Sequence, residues 1–108
     1  MTAIQRVQVG KTALQISQFG MGGTGLGNIY HEVAEGDAMA TVSAAYGAGV
    51  RYFDTAPLYG SGLSEVRLGR AVADFPRDQI VISTKVGWSL MPVAADPPPE
   101  SLFENAMP

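Results

Sequence analysis

Polar and apolar residues alternate in two short segments near the start of the chain, and this alternation predicts a β-hairpin. The segments are residues 6–9 and 13–17, and residues 10–12 supply the turn between them. A period of two residues is typical of strands, and a short turn makes two such strands antiparallel. A further short strand is predicted over residues 18–21, and it leads into the glycine-rich stretch 22–27.

Two later segments carry apolar residues at helical spacing. The first helix is predicted over about residues 37–48, with Asp37 as its N-cap. The second begins with Ser64 as its N-cap and is broken by residues 75–78. The apolar faces consist of Ala38, Met39, Val42, Ala45, Tyr46 and Gly49 in the first helix and of Leu68, Ala71 and Val72 in the second.

Two further strands alternate with these helices. The first is predicted over residues 50–53, and the second over residues 79–84, a continuous β-branched run of the kind that is buried on both faces of a parallel sheet. The order of hairpin, strand, helix, strand, helix and strand indicates an α/β fold built from βαβ units. From Val86 onward the pattern predicts no helix or strand, and the proline triplet at 97–99 predicts a stiff, extended loop.

Composition narrows the possible functions of the chain. Apolar residues make up 46% and charged residues 16% of the 108 residues, which is typical of a globular protein. A net charge of −3 with scattered basic residues argues against nucleic-acid binding. The lack of cysteine excludes disulfides, zinc-thiolate sites and thiol nucleophiles, and we predict no metal site. No stretch of about 18 apolar residues and no leader is evident, so we expect a cytoplasmic protein without a membrane partner.

The glycine-rich stretch raises the question of a dinucleotide-binding site. Residues 20–25, GMGGTG, fit the pattern G-x-G-x-x-G after a short strand. A Rossmann site needs a helix that begins inside the motif, so that its amides meet the pyrophosphate. Residues 26–31 have no helical period. We therefore interpret the stretch as a flexible glycine turn at a strand end, where a ligand can approach the backbone.

Three polar side chains follow the two later strands. Asp54 and Lys85 each stand at the carboxyl end of a predicted strand, and one right-handed crossover makes these strands neighbours at about 4.8 Å. The pair alone fits an ordinary ion pair as well as a catalytic site. Tyr59, on a loop held by Pro57 and Gly60, can reach over the same ends. An ammonium beside a phenol favours the phenolate, and this arrangement suits a general acid–base acting on a carbonyl oxygen.

Three motifs in this order resemble the aldo-keto reductase family. They are GVRYFDTAPLYG at 49–60, Ser64-Glu65 with Leu68-Gly69-Arg70, and ISTKVG at 82–87. The likeness extends over nearly the whole chain from the hairpin to Gly87. The segment 85–87 and a proline-rich loop that ends in FENAMP are also similar to the sugar and pyridoxal dehydrogenases of that family.

The resemblance implies a (β/α)₈ TIM barrel whose bottom is closed by a hairpin. Residues 1–108 would then be its N-terminal portion, with the hairpin, about three strands and two helices, and would end before the fourth strand. The family's aspartate, tyrosine and lysine fall on Asp54, Tyr59 and Lys85, and its catalytic histidine would lie beyond Pro108. His31 precedes the first helix and is interpreted as a solvated loop residue.

The resemblance also implies a ligand set. The cofactor is NADP or NAD, and Gly23, Thr24 and Asp54 are candidates for contact with it. Tyr30 and Trp88 lie on strand-end loops, where they either line a substrate pocket or pack under the barrel rim. The implied partner is a small carbonyl or sugar-like substrate, which an oxidoreductase interconverts with an alcohol. The oligomeric state is left open.

The length of the chain sets a further expectation. A closed barrel takes at least about 200 residues, so we expect the 108-residue chain to be inactive and not stably folded as a monomer, with activity belonging to a full-length parent. One alternative is a natural short product that serves as a non-catalytic binding or interaction module. Another is a complete small α/β domain, but its last strand would present an exposed edge.

Overall fold

The computed structural model describes residues 4–87, which form a small α/β unit. Trp88 and the predicted proline-rich loop lie outside the described residues. Within this part the strands make one sheet of two strands and one of three, and they do not close into a barrel. The strands are β1 (Arg6–Gln8), β2 (Gln15–Ser17), β3 (Met21–Gly22), β4 (Tyr52–Asp54) and β5 (Val81–Ser83). The helices are α1 (Glu35–Gly47) and α2 (Leu63–Val72), with short 3₁₀ helices at Thr24–Gly27 and Arg77–Gln79.

The larger sheet is parallel, as the sequence predicts, with β4 between β3 and β5. Gly22 is in register with Asp54, and Asp54 with Ser83, so the carboxyl ends of the three strands meet at one edge. Successive side chains of a strand point to opposite faces. Phe53 therefore packs against the helices, while its neighbours Tyr52 and Asp54 lie on the other face of the sheet.

The hairpin forms as predicted, with Val7 opposite Ile16. It lies at the opposite end of the parallel sheet from Asp54. The Arg6 guanidinium donates to the carbonyl of Gln79, which precedes β5, and the Arg51 amide, just before β4, donates to the buried Ser17 hydroxyl. These bonds place β1 and β2 below the amino ends of β4 and β5.

One hydrophobic core lies between the parallel sheet and the two helices. The predicted apolar faces are confirmed for the residues inside the helices, because Ala38 and Val42 of α1 and Leu68 and Val72 of α2 are buried there, whereas Gly49 lies beyond the end of α1. The other buried core members are Leu26, Phe53 and Ile80. None of the helices in residues 4–87 is long and apolar enough to cross a membrane.

The start of α1 differs from the sequence prediction. The helix begins at Glu35 after the extended residue Ala34, so Asp37 lies in the first turn and is not the N-cap. Glu35 is also held from outside the helix, because its carboxylate pairs with the Arg70 guanidinium at 3.0 Å. Glu35 and Asp37 also place negative charge at the positive end of the helix dipole.

The predictions for the last strand and for the glycine-rich stretch need correction as well. The predicted strand at 79–84 is confined to Val81–Ser83, because a 3₁₀ turn at Arg77–Gln79 occupies its start. These strand residues are only half-buried, since β5 forms the edge of the sheet within the part described. The glycine-rich stretch is also more ordered than predicted: Thr24–Gly27 forms a 3₁₀ helix that buries Leu26.

Candidate active site

Asp54 and Lys85 meet at the carboxyl edge of the parallel sheet. The Lys85 ammonium donates to Asp54 Oδ2 at 2.7 Å and to the carbonyl of Thr55 at 3.0 Å. The predicted contact between the two charged groups is therefore confirmed. The Asp54 side chain is 35% exposed and that of Lys85 is 47% exposed, so the pair borders solvent at the rim of the sheet.

The second oxygen of the Asp54 carboxylate is bonded to the neighbouring strand. Ser83, in register with Asp54 on β5, donates its hydroxyl to Asp54 Oδ1 at 2.6 Å. The phenol of Tyr52 lies 2.9 Å from the same Ser83 oxygen. Both carboxylate oxygens thus have protein partners, and this fixes the plane of the carboxylate.

The pKa values of the pair move in opposite directions. The hydrogen bond from Lys85, followed by the one from Ser83, lowers the pKa of the Asp54 carboxyl below its ordinary value. The hydrogen bond to Asp54 raises the pKa of Lys85, and a smaller contribution in the same direction comes from Tyr59. Both shifts favour the charged forms, so the site holds a carboxylate and an ammonium over a wide pH range.

Tyr59 lies over this ion pair. The Lys85 nitrogen is 5.1 Å from the centroid of the Tyr59 ring. A cavity of about 100 Å³ opens beside them, lined by Ala56, Pro57, Leu58, Tyr59, Lys85 and Val86. A complete small-molecule site measures roughly 300–1,000 Å³, so this cavity is smaller than such a site.

The loop that carries Tyr59 is held by buried hydroxyl groups. Ser64, which is fully buried, donates to the carbonyl of Gly23 at 2.7 Å and lies 2.7 Å from the Thr55 hydroxyl. The sequence predicts Ser64 as the N-cap of α2, and this is wrong. Gly62 occupies the N-cap position, and the Ser64 hydroxyl bonds to the end of β3 because the two segments are in contact.

Two backbones meet closely beside Tyr59. Gly60 has a φ of +73°, which L-residues with side chains rarely adopt. A Cβ on Gly60 would collide with the carbonyl of Gly27, and a Cβ on Gly27 would collide with the carbonyl of Tyr59. The position of Tyr59 therefore depends on the lack of side chains at both glycines.

Arg67 connects α2 to the loop between β3 and α1. Its side chain is only 8% exposed, and its guanidinium donates to the carbonyls of Leu26 and Val33 at 3.0 and 2.8 Å. The same group contacts Asn28 Oδ1 at 3.2 Å and lies 3.6 Å from the Glu35 carboxylate. This one side chain therefore fixes the path of the loop that follows the first parallel strand.

The other predicted site residues are distributed as follows. Gly23 is buried against the end of β4, and its amide donates to the Asp54 carbonyl at 2.7 Å, while Thr24 starts the 3₁₀ helix. Tyr30 is 76% exposed and is not among the residues that line the cavity. Trp88 lies outside the described residues. His31 is exposed in its loop, in agreement with the prediction.

Sequence reasoning missed the residues that support the pair. Tyr52 and Ser83 could have been found from strand parity, because Tyr52 shares a face with Asp54 and Ser83 is in register with it. Arg67 offers a weaker signal, a charge next to the apolar Leu68 of a helix face. Thr55 and Ser64 carry no local signal, since their partners lie on other segments of the chain.

The arrangement can perform one kind of chemistry with its own side chains. A phenol beside an ammonium can exchange a proton with an oxygen in the cavity, and a carboxylate holds the ammonium in place. No thiol is present, because the sequence contains no cysteine.

Comparison with known proteins agrees with this geometry. Residues 18–106 match the model of the Aldo/keto reductase family. D-threo-aldose 1-dehydrogenase from a Pseudomonas species is 47% identical over 79 residues, which are 73% of this chain and 24% of that protein. Pyridoxal 4-dehydrogenase from Microbacterium luteolum is 41% identical over 85 residues, which are 79% of this chain and 25% of that protein.

A solved structure of an aldo-keto reductase also matches this chain. The chain superimposes on the holo form of an aldo-keto reductase from Bacillus halodurans with a TM-score of 0.72 and 32% identity, over 82% of this chain and 28% of that one. The resemblance to sugar and pyridoxal dehydrogenases is thereby confirmed. The chain spans about a quarter of the length of the relatives that it matches.

Proposed function

The chain belongs to the aldo/keto reductase family, and on that premise we propose that it supplies the catalytic strand ends of an oxidoreductase. The proposed reaction interconverts a carbonyl and an alcohol by hydride transfer with NADP or NAD, in the N-terminal portion of a (β/α)₈ barrel. The observation that carries the proposal is the Lys85 ammonium, 2.7 Å from Asp54 Oδ2 and 5.1 Å from the Tyr59 ring beside the cavity.

Each of the three side chains has a role in this proposal. Tyr59 gives a proton to the substrate oxygen during reduction and takes it back during oxidation. Lys85 places a positive charge where negative charge develops on the oxygen atoms during proton transfer. Asp54 holds the ammonium in position, supported by the hydrogen bond at 2.7 Å.

We propose that the described residues lie at the nicotinamide end of the cofactor. When bound, the nicotinamide supplies or accepts the hydride. The only helix that begins at the glycine stretch has four residues, and the Gly23 amide is already bonded to the Asp54 carbonyl, so no pyrophosphate cradle is available there. We propose that Gly23, Thr24 and Asp54 lie in van der Waals contact with the nicotinamide. Asp54 and Lys85 would also position the Tyr59 phenol beside it.

The cavity and the relatives support a proposal for the substrate class. The cavity has apolar walls from Ala56, Pro57 and Leu58 and one polar corner at Tyr59 and Lys85. Such a lining accepts a small carbonyl compound with its oxygen toward the phenol. Because the names of the two relatives specify an aldose and pyridoxal, we propose a sugar-like or other small carbonyl substrate.

A chimera tests the proposal. This chain replaces the matching quarter of the Pseudomonas D-threo-aldose 1-dehydrogenase, and turnover is followed by the absorbance of reduced nicotinamide. Tyr59→Phe is expected to lower kcat by roughly 10²–10⁴-fold, the usual share of general acid–base catalysis. Binding of the cofactor, measured by fluorescence, is expected to be largely kept.

Tyr46→Phe is the matched control, because the Tyr46 ring stacks on Phe75 at 3.9 Å in the helix layer. Full turnover of the Tyr59→Phe chimera would remove Tyr59 from the mechanism. A folded chimera that binds no cofactor would instead favour a non-catalytic binding module. The 108-residue chain is assayed in parallel, and we expect no turnover from it alone.

A further inference from the structure

The face of the parallel sheet that carries Asp54 also carries a directed chain of hydroxyl groups. Ser83 has a single hydroxyl proton, and its oxygen has two polar neighbours, Asp54 Oδ1 at 2.6 Å and the Tyr52 oxygen at 2.9 Å. An ionised carboxylate accepts hydrogen bonds and donates none. The Ser83 proton must therefore point to Asp54.

This fixes the direction of the next bond. Because the Ser83 proton is already used, the Ser83 oxygen can only accept from Tyr52, so the Tyr52 phenol is the donor. The chain runs in one direction, from Tyr52 to Ser83 and from Ser83 to Asp54. A hydroxyl that accepts one hydrogen bond becomes a stronger donor in the next, so the two bonds support each other.

The Asp54 carboxylate connects this hydroxyl chain to the Lys85 ammonium. Asp54 Oδ1 is held by Ser83 and Oδ2 by Lys85, so a rotation of the carboxylate would break one bond or the other. Lys85 is also held by the carbonyl of Thr55 at 3.0 Å. The orientation of Asp54 thus sets where the Lys85 ammonium lies beneath the Tyr59 ring.

Space for the first donor is provided by a glycine. A Cβ on Gly20 would lie 2.8 Å from Tyr52 Cδ2, so any side chain there would displace the Tyr52 ring. The three atoms nearest to such a Cβ all belong to Tyr52 and not to Asp54 or Ser83. The placement of the Tyr52 phenol therefore depends on the residue just before β3.

We propose that Ser83 and Tyr52 are positioning residues, which act through Asp54 to hold Lys85 and Tyr59 in the arrangement that transfers the proton. The catalytic consequence rests on the proposed function, whereas the hydrogen-bonded chain stands on its own geometry. Neither residue is assigned a contact with the substrate or the cofactor.

The test reads Asp54 directly, by NMR titration of its selectively labelled side-chain carboxyl carbon in the chimera. Ser83→Ala removes the donor to the charged form and is expected to raise the pKa of the Asp54 carboxyl, because Lys85 then remains its only side-chain donor. Ser83→Thr keeps a hydroxyl and is expected to restore the original value. Tyr52→Phe and Gly20→Ala are expected to raise the pKa by a smaller amount in the same direction.

Matched controls separate this role from general packing. Ser43 is an exposed serine on α1, and Tyr46 stacks on Phe75, so Ser43→Ala and Tyr46→Phe are expected to leave the Asp54 titration unchanged. If Ser83→Ala does not fold, Tyr52→Phe and Gly20→Ala still test the chain. An Asp54 titration that is unchanged in the folded variants, or not restored by Ser83→Thr, overturns the proposal.

Activity gives a second and distinguishable readout. In the chimera, Ser83→Ala is expected to lower kcat about 5- to 10-fold, the effect of one lost positioning hydrogen bond, with little change in KM. If the Asp54 titration responds as expected but Tyr59→Phe retains turnover, the proposed function fails and the positioning chain stands. If Tyr59→Phe is inactive and the Asp54 titration does not respond, the reverse holds.

Discussion

The hairpin and the carboxyl edge of the parallel sheet are built in opposite ways. In the hairpin all three β1 residues are exposed, and even Val7 and Leu14 are 39% and 46% exposed. At the carboxyl edge Thr55, Ala56 and Ser64 are almost completely buried, and the two hydroxyls bond within the protein. Substitutions should therefore be tolerated at the exposed positions of the hairpin, though not at the buried Ser17, and costly at the carboxyl edge, where the candidate catalytic groups are held.

Gly60→Ala is expected to give the largest effect on this edge. The new Cβ would meet the Gly27 carbonyl and would sit on a residue with a φ of +73°. A left-handed conformation costs about 1–2 kcal/mol for an L-residue and overpacking costs about 1–3 kcal/mol more. The free energy of unfolding, from urea titration of the chimera, is expected to fall by roughly 2–5 kcal/mol.

The control is Gly69→Ala on the exposed side of α2, where a Cβ would meet no atom within 4 Å. Alanine there is expected to stabilise the helix by up to about 1 kcal/mol. In the hairpin turn, Gly10→Ala adds a Cβ in open space and bears only the cost of its positive φ. A Gly60→Ala variant as stable as Gly10→Ala would contradict the contrast between the two regions.

Arg67→Met is expected to give the second-largest effect. It removes a buried guanidinium that donates to the carbonyls of Leu26 and Val33, and the change leaves these groups without their donor. An unsatisfied buried polar group costs about 1–3 kcal/mol; the bond to the Leu26 carbonyl is buried and that to the Val33 carbonyl is partly buried, so the stability should fall by roughly 1–4 kcal/mol. Urea unfolding measures the change.

Arg70→Met is the matched control for Arg67. Arg70 bonds to the same Glu35 carboxylate, but its side chain is 62% exposed. Exposed ion pairs contribute about 0.2–1 kcal/mol, so this variant should lose no more than that. Equal losses from the two variants would show that the ion pair with Glu35, rather than the carbonyl bonds, is what matters.

Ser64→Ala is expected to have a smaller but clear effect. It removes the donor to the Gly23 carbonyl and the acceptor for Thr55, both in a buried position. We expect a loss of roughly 1–3 kcal/mol. Ser43→Ala on the surface of α1 should change the free energy of unfolding by less than about 0.5 kcal/mol, and a similar change in Ser64→Ala would mean that the buried bonds contribute little.

The same contrast explains how far the sequence could predict the structure. The hairpin, the helices and the parallel order follow from local periodicity, and the contact of Asp54 with Lys85 follows from strand order. The start of α1, the role of Ser64 and the burial of Arg67 could not be predicted in this way. The Ser64 hydroxyl and the Arg67 guanidinium both bond to partners on distant segments, such as the Gly23 carbonyl for Ser64, and periodicity contains no information about such partners.

The ion pair belongs to the carboxyl edge but is partly exposed there, and the pH dependence of stability should reveal its contribution to the free energy of unfolding. The pKa of Asp54 lies below its ordinary value of 3.8, so its stabilising effect is complete above that pH and is lost as the pH falls through the folded-state value. The pKa of Lys85 lies above 10.5, so its effect is complete below that pH and is lost as the pH rises through the folded-state value. The pair should therefore stabilise the protein by a constant amount between these two limits.

Asp54→Asn isolates this contribution as the difference in unfolding free energy from the unmodified protein. Because both groups are more than a third exposed, the ion pair should contribute only about 0.2–1 kcal/mol to this difference. The hydrogen bond from Ser83 to Asp54 adds a second contribution of the same sign. Urea unfolding at several pH values should show a plateau at neutral pH and a difference that shrinks toward acid. If the unfolding free energy of the unmodified protein instead rises relative to that of Asp54→Asn as the pH falls below 3.8, the charged Asp54 is destabilising. The ion pair would then contribute no stability to the carboxyl edge.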